Sequence, residues 1–207
     1  MKKRKIVRFA CLLLTLACIF SLFSCGADLS DEDAKDRAAE LLQKSVLINR
    51  IYFGSGIPAD PTVIGDAAYK KADPAFLEAH GFQSVEQLKK KTLEVYTSYC
   101  AEDIFFNIFT AVVGVSDSRA RYRDDSGTLY VDTKAEVLYA DRVEFDTDSI
   151  RITKSKKNVI YFTVDMTVYN ADESKSQTLS AQSFSLREEN GVWLLDTPTY
   201  AVYYDER

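Results

Sequence analysis

The sequence predicts an α+β domain, with helices from the first half packed on a curved antiparallel sheet of about five to six strands from the second. Three observations carry this. Between residues 31 and 52 apolar side chains recur at helical spacing. Over Val159–Tyr169 they alternate strictly: Ile160, Phe162, Val164, Met166 and Val168 against Tyr161, Thr163, Asp165, Thr167 and Tyr169. Turn signals then separate short apolar runs at hairpin distances. A strand with one wholly apolar face must bury it, and the preceding helices can cover it.

Taken in order, Ser30 with Asp33 three residues on has the form of a helix start. A side-chain oxygen caps backbone N–H groups, and acids sit at the positive end of the dipole. Ala34, Ala38, Leu41, Leu42, Ser45, Val46 and Asn49 keep helical spacing to about residue 52. Gly54, Gly56, Pro58, Pro61 and Gly65 break regular structure to about residue 73. Pro74 opens a short helix to His80, stopped by Gly81. Ser84-Val-Glu-Gln87 has the capping-box pattern. It opens a helix whose inner face is Val85, Leu88, Thr92, Val95, Tyr96 and Tyr99, and helical character continues, straight or after a kink, through Ile104, Phe105, Ile108 and Phe109 to Gly114. On this spacing Tyr96, Tyr99, Phe105, Phe106 and Phe109 belong to the core.

Residues 119–123 and Thr128–Asp132 flank Asp124-Asp-Ser-Gly127, a hairpin signal. Residues 142–145 and 149–154 are further strands, followed by Val159–Tyr169. After a turn at 170–175 comes a strand at 178–187, then Glu188-Glu-Asn-Gly191 and the strand Val192–Leu195, with 200–204 as an extension of the sheet.

The first 25 residues carry an address. Lys2, Lys3, Arg4, Lys5 and Arg8 precede an apolar run over 9–23, which ends in Leu22-Phe23-Ser24-Cys25. As a helix that run is about 22 Å long, against a hydrocarbon core of about 30 Å, so it suits a secretory signal better than a membrane span. The cysteine after Leu22-Phe23-Ser24 resembles the lipobox of bacterial lipoproteins. The resemblance implies a signal peptide at residues 1–24, a diacylglyceryl group on the Cys25 thiol, a short lipidated tether at 25–30, and one α+β domain over 31–207. It places the mature chain on the extracytoplasmic face of the cell membrane. Loss of five basic and no acidic residues takes the net charge from −5 to −10. An acidic domain at a membrane surface is a poor candidate for binding nucleic acid or anionic lipid.

Little in the domain points to chemistry. Cys100 is the one cysteine beyond Cys25, which excludes a disulfide framework, and it reads as a small buried hydrophobe. His80 is the only histidine and sits where a helix ends, so a nucleophile–histidine pair or a zinc site has little to draw on. Gly54-Ser-Gly56 follows a helix rather than a strand, so it reads as a turn that can line a ligand, not as a dinucleotide loop. Asp124-Asp125 and Asp146-Thr-Asp148 lack the ligand ladder of a calcium loop. No cofactor and no metal is expected. Arg119, Arg121 and Arg123 alternate, so a strand would point them to one face. There they either grip a carboxylate or phosphate or pair across the sheet with acids such as Asp132, Glu136, Asp141 or Glu144. Asp165, beside tyrosines on the polar face of its strand, is the acid–base candidate. Tyr200, Tyr203 and Tyr204 are hard to bury together and offer contact surface.

Helices followed by a strand meander are similar to the cystatin-like and nuclear transport factor-like folds. Ile51-Tyr-Phe-Gly-Ser-Gly-Ile-Pro58, Ala120-Arg-Tyr122, Leu129-Tyr-Val131 and Trp193-Leu-Leu-Asp-Thr-Pro-Thr-Tyr200 look like uncharacterised lipoproteins of Gram-positive gut bacteria. The helices-then-sheet order also looks distantly like secreted inhibitors of cell-wall DL-endopeptidases. These resemblances imply a membrane-anchored, non-enzymatic binding module whose partner is a cell-envelope protein such as a peptidoglycan hydrolase. The competing expectation is a small-ligand binder or enzyme using a cone between helices and sheet. An oligomeric scaffold is a third, since the sequence leaves the oligomeric state open.

Overall fold

The structure is a computed structural model, and it describes residues 29–63, 67–110, 119–135, 140, 142–170 and 173–201. The chain is α+β. Four helices, α1 (Asp31–Phe53), α2 (Pro74–His80), α3 (Val85–Leu93) and α4 (Ser98–Phe109), come mostly before the strands. The strands are β1 (Tyr69–Lys71), β2 (Tyr122–Asp125), β3 (Thr128–Asp132), β4 (Val143–Lys156), β5 (Val159–Tyr169), β6 (Ser176–Glu189) and β7 (Val192–Leu195). Among the described residues no helix is long and apolar enough to cross a membrane.

One sheet of five to six strands is not what forms. There are two antiparallel sheets, a three-stranded one in the order β1-β3-β2 and a four-stranded meander β4-β5-β6-β7. The hairpin β2–β3 takes its third strand from the Gly- and Pro-rich segment instead of joining β4: Lys70 pairs with Val131, and Ala59 bridges Ala72. A three-residue strand among turn residues leaves no period to read. Two-residue turns close the hairpins at Ser126-Gly127 and Asn190-Gly191, with φ positive at all four residues, the twist antiparallel hairpins favour.

The large sheet is as the alternation predicts. Ile160, Phe162, Val164, Met166 and Val168 are all buried. Covering them is α1, whose Ala34, Ala38, Leu41, Leu42 and Ile48 are buried too. Ser30 caps α1 by accepting from the Asp33 N–H at 3.1 Å. The two strands expected over 142–154 are one, β4, with a register irregularity between Asp146 and Arg151. Asp165 lies on the opposite face from the core and accepts from the Ala181 N–H at 2.7 Å. It thereby holds a β6 residue at a φ of 50°.

The helical stretch from Ser84, expected to run straight or kink, breaks fully between α3 and α4. There the Thr97 N–H donates to the Leu195 carbonyl and the Leu195 N–H to the Val95 carbonyl, both at 2.9 Å. Residues 95–97 thus attach to β7, and Thr97 restarts the helix by accepting from the Cys100 N–H. The break resets the helical phase. Tyr96 is fully buried, but Tyr99 is 75% and Phe106 59% exposed, so the core assignment of these two is corrected. Phe105 and Phe109 are half-buried against the core.

No strand forms at Tyr200 or Ala201. That segment is instead fixed by side chains. Thr199 Oγ1 accepts from Asn49 Nδ2 at 2.8 Å, lies 2.6 Å from the Tyr96 hydroxyl, and donates to Ser45 Oγ at 2.8 Å. All four residues are buried, and each polar group has a partner, as burial demands.

Candidate functional site

Two places stand out. The first lies at the C-terminal end of α1, where the last carbonyls of a helix are left without intrahelical partners and carry partial negative charge. The Gly54 N–H reaches the Asn49 and Arg50 carbonyls, and the Gly56 N–H reaches that of Arg50. The dipeptide Arg121-Tyr122 supplies further donors. The Tyr122 hydroxyl donates to the Ile51 carbonyl at 2.5 Å while accepting from the Ile57 N–H at 3.0 Å and Arg121 Nε at 3.2 Å. Arg121 Nη2 donates to the Gly54 carbonyl. Burial pushes the Tyr122 phenol above its ordinary range.

Gly56 is what lets these groups approach. Its φ is +80°, and a Cβ there would lie 2.7 Å from Arg121 Nη2 and 2.8 Å from the Tyr122 hydroxyl. A cavity of about 250 Å³ opens beside it, lined by Ser55 to Ala59, Arg121, Tyr122 and the end of β3. Two segments that stood apart in sequence, Gly54–Pro58 and Ala120–Tyr122, therefore meet here.

The three alternating arginines have separate settings. Arg119 Nε is 3.0 Å from Asp132 Oδ2, one of the cross-strand acids expected. Arg121 is only 8% exposed and engages the helix end. The Arg123 guanidinium stacks 4.0 Å above the Tyr69 ring, a cation–π contact. Strand β2 starts only at Tyr122, so strict alternation does not extend back through Arg119. Tyr200 is half-buried, its ring 4.4 Å from that of Phe53. Cys25, Glu136, Asp141, Tyr203 and Tyr204 lie outside the described residues.

The second place is the outer face of α4. Ser98, Tyr99, Glu102, Asp103 and Phe106 are exposed on it, with the two aromatic rings seven residues apart and hence on one side. Leu93, at the end of α3, is also exposed. Sequence spacing missed this face, because the break at 94–97 leaves Tyr99 out of phase with Val95. The sign that could have found it is Thr97, a capping residue placed just before a new run of helix formers.

Other reactive groups are engaged. The His80 ring lies 4.3 Å from that of Phe76, tilted by 55°, and burial pushes the Cys100 thiol up to about 12. Among the described residues no group of three His, Cys, Asp or Glu gathers where a metal ion could be held. No protein-family model matches the sequence, and no curated protein matches it.

Proposed function

We propose that this protein is a lipid-anchored extracytoplasmic binding module, non-enzymatic, that recognises a cell-envelope protein such as a peptidoglycan hydrolase. The observation that carries the reading is the α4 face: two solvent-exposed aromatic rings flanking Glu102 and Asp103. Aromatic anchors on a rigid element are the residues that dominate protein contacts. The helix behind them is rigid, since Ala101, Ile104 and Ile108 are buried in the core. The leader and Cys25 supply the address, and the α1-on-meander unit supports a cystatin-like or nuclear transport factor-like kinship for the large sheet. Beneath α1 the apolar side chains of the meander are packed, which favours surface contact over a ligand held in a cone.

The test is binding and inhibition by the processed protein with a purified cell-wall endopeptidase from the same envelope. Slower peptidoglycan digestion that is lost in Tyr99→Ala/Phe106→Ala is expected. Equal digestion with and without the protein, across the envelope's endopeptidases, defeats the hydrolase reading. Incorporation of labelled lipid into the chain but not into Cys25→Ser is the companion result for the anchor.

A second reading rests on the cavity beside Arg121. Its polar rim and neighbouring guanidinium suit a small anionic ligand. Loss of ligand binding in Arg121→Met, with α4 variants unaffected, would separate it from the first.

A further inference from the structure

Leu29 is where the described chain begins, and it lies beside the β4–β5 hairpin. Leu29, Ser155, Lys156, Lys157, Ile160 and Trp193 line a cavity of about 250 Å³. Gly26, Ala27 and Asp28 alone separate Leu29 from Cys25, so four Cα steps limit the distance between them to about 14 Å. We infer that this end of the large sheet is the face laid on the membrane. Lys156 and Lys157 meet the phosphates of anionic lipid headgroups, and Trp193 sits at the interfacial level. The inference rests on the lipid anchor at Cys25 proposed above.

The chemistry of the face fits that occupant. Lys154, Lys156 and Lys157 are exposed, and none of them is in an ion pair among the described residues. Lysines close to an anionic surface add to membrane attraction. Trp193 is half-buried on the core side at this end of the sheet, and Val192 and Tyr161 are exposed on its opposite face. Lys156 Nζ lies 6.0 Å from the Tyr161 ring. Aromatic rings and long basic side chains are the residues that settle at the headgroup level. Asp31 and Glu32 are exposed close by, and Glu188 and Glu189 pair across the sheet with Trp193 and Val192; anionic lipid repels these acids and the acidic domain as a whole, so the attraction depends on the hairpin lysines.

Trp193 is the only tryptophan, which makes the face its own reporter. The full chain is expressed with its leader, extracted, and reconstituted into vesicles of phosphatidylcholine, with and without phosphatidylglycerol. Both vesicle types are doped with brominated lipid. Mass spectrometry of the N-terminal peptide reads the lipid on Cys25 separately. The expected result is a lipidated Cys25 and Trp193 quenching several-fold stronger in the phosphatidylglycerol vesicles. That increment should be lost in Lys156→Glu/Lys157→Glu, whose emission in detergent matches the parent. Equal quenching in the two vesicle types, or an increment that survives the charge reversal, overturns the membrane face while leaving the anchor standing. A Cys25 without lipid overturns the anchor and this inference with it.

Discussion

The two sheets are held by different forces. The four-stranded meander with α1 is an apolar unit. Five alternating side chains of β5 are buried, and each such burial contributes about 1.5–3 kcal/mol. The three-stranded sheet has only a few buried apolar residues of its own, chiefly Leu129, Val131 and Tyr122. Specific polar contacts fasten it. Arg121 and Tyr122 reach the end of α1, and the Asp124 carboxylate accepts from the Val85 N–H at the start of α3 at 3.0 Å. A typical hydrogen bond is worth about 1 kcal/mol net, but breaking one side of a buried pair costs about 1–3 kcal/mol. The first unit should therefore absorb small changes in packing, while the second should be sensitive to single atoms.

The sharpest way to break this contrast is Gly56→Val. It forces a β-branched residue to a φ of +80° and drives its Cβ into Arg121 and Tyr122, so a loss of about 3 kcal/mol is expected in denaturant melts. Val164→Ala, a comparably buried site in the large sheet, should cost about 2 kcal/mol. If the glycine change costs less than the valine change, the small sheet is not held by its polar contacts.

Next is Arg121→Met, which keeps bulk and removes the donor to the Gly54 carbonyl. A loss of about 2 kcal/mol is expected, with protease cutting first near residues 54–59. Tyr96→Phe should cost about 1–2 kcal/mol, because Asn49 Oδ1 loses its 3.1 Å donor inside the core. The smallest effect is expected at the surface: Tyr99→Ala with Phe106→Ala should change stability by about 0.5 kcal/mol or less per site. A larger loss there would mean that the α4 face is structural and would remove the main support for a partner surface.

What the sequence made legible follows the same division. α2, β3, β5 and β7 match their expected bounds, and α1 does so within a residue; in the long elements burial on one face writes a period of 2 or 3.6 into the chain, while α2, which buries no residue, is marked by Pro74 and Gly81 at its ends. The hairpin at Ser126-Gly127 was readable from turn chemistry. β1 was not, since three residues carry no period. Nor was the meeting of Gly54–Pro58 with Arg121-Tyr122, which are more than sixty residues apart and joined by side-chain contacts to backbone carbonyls. The α4 face was hidden for a third reason. Tyr99 fits the stripe of the preceding helix in sequence and leaves it only because residues 95–97 pair with β7.

That pairing also sets an order of assembly. The Val95 and Thr97 backbone groups wait for Leu195, and Ser45, Asn49 and Tyr96 wait for Thr199. Chains emerge N-terminus first, so a nascent polypeptide holding α1 to α4 has neither its inter-helix joint nor its buried hydroxyl cluster closed until Leu195 and Thr199 follow. The joint between two neighbouring helices is thus sealed by a residue made a hundred positions after it.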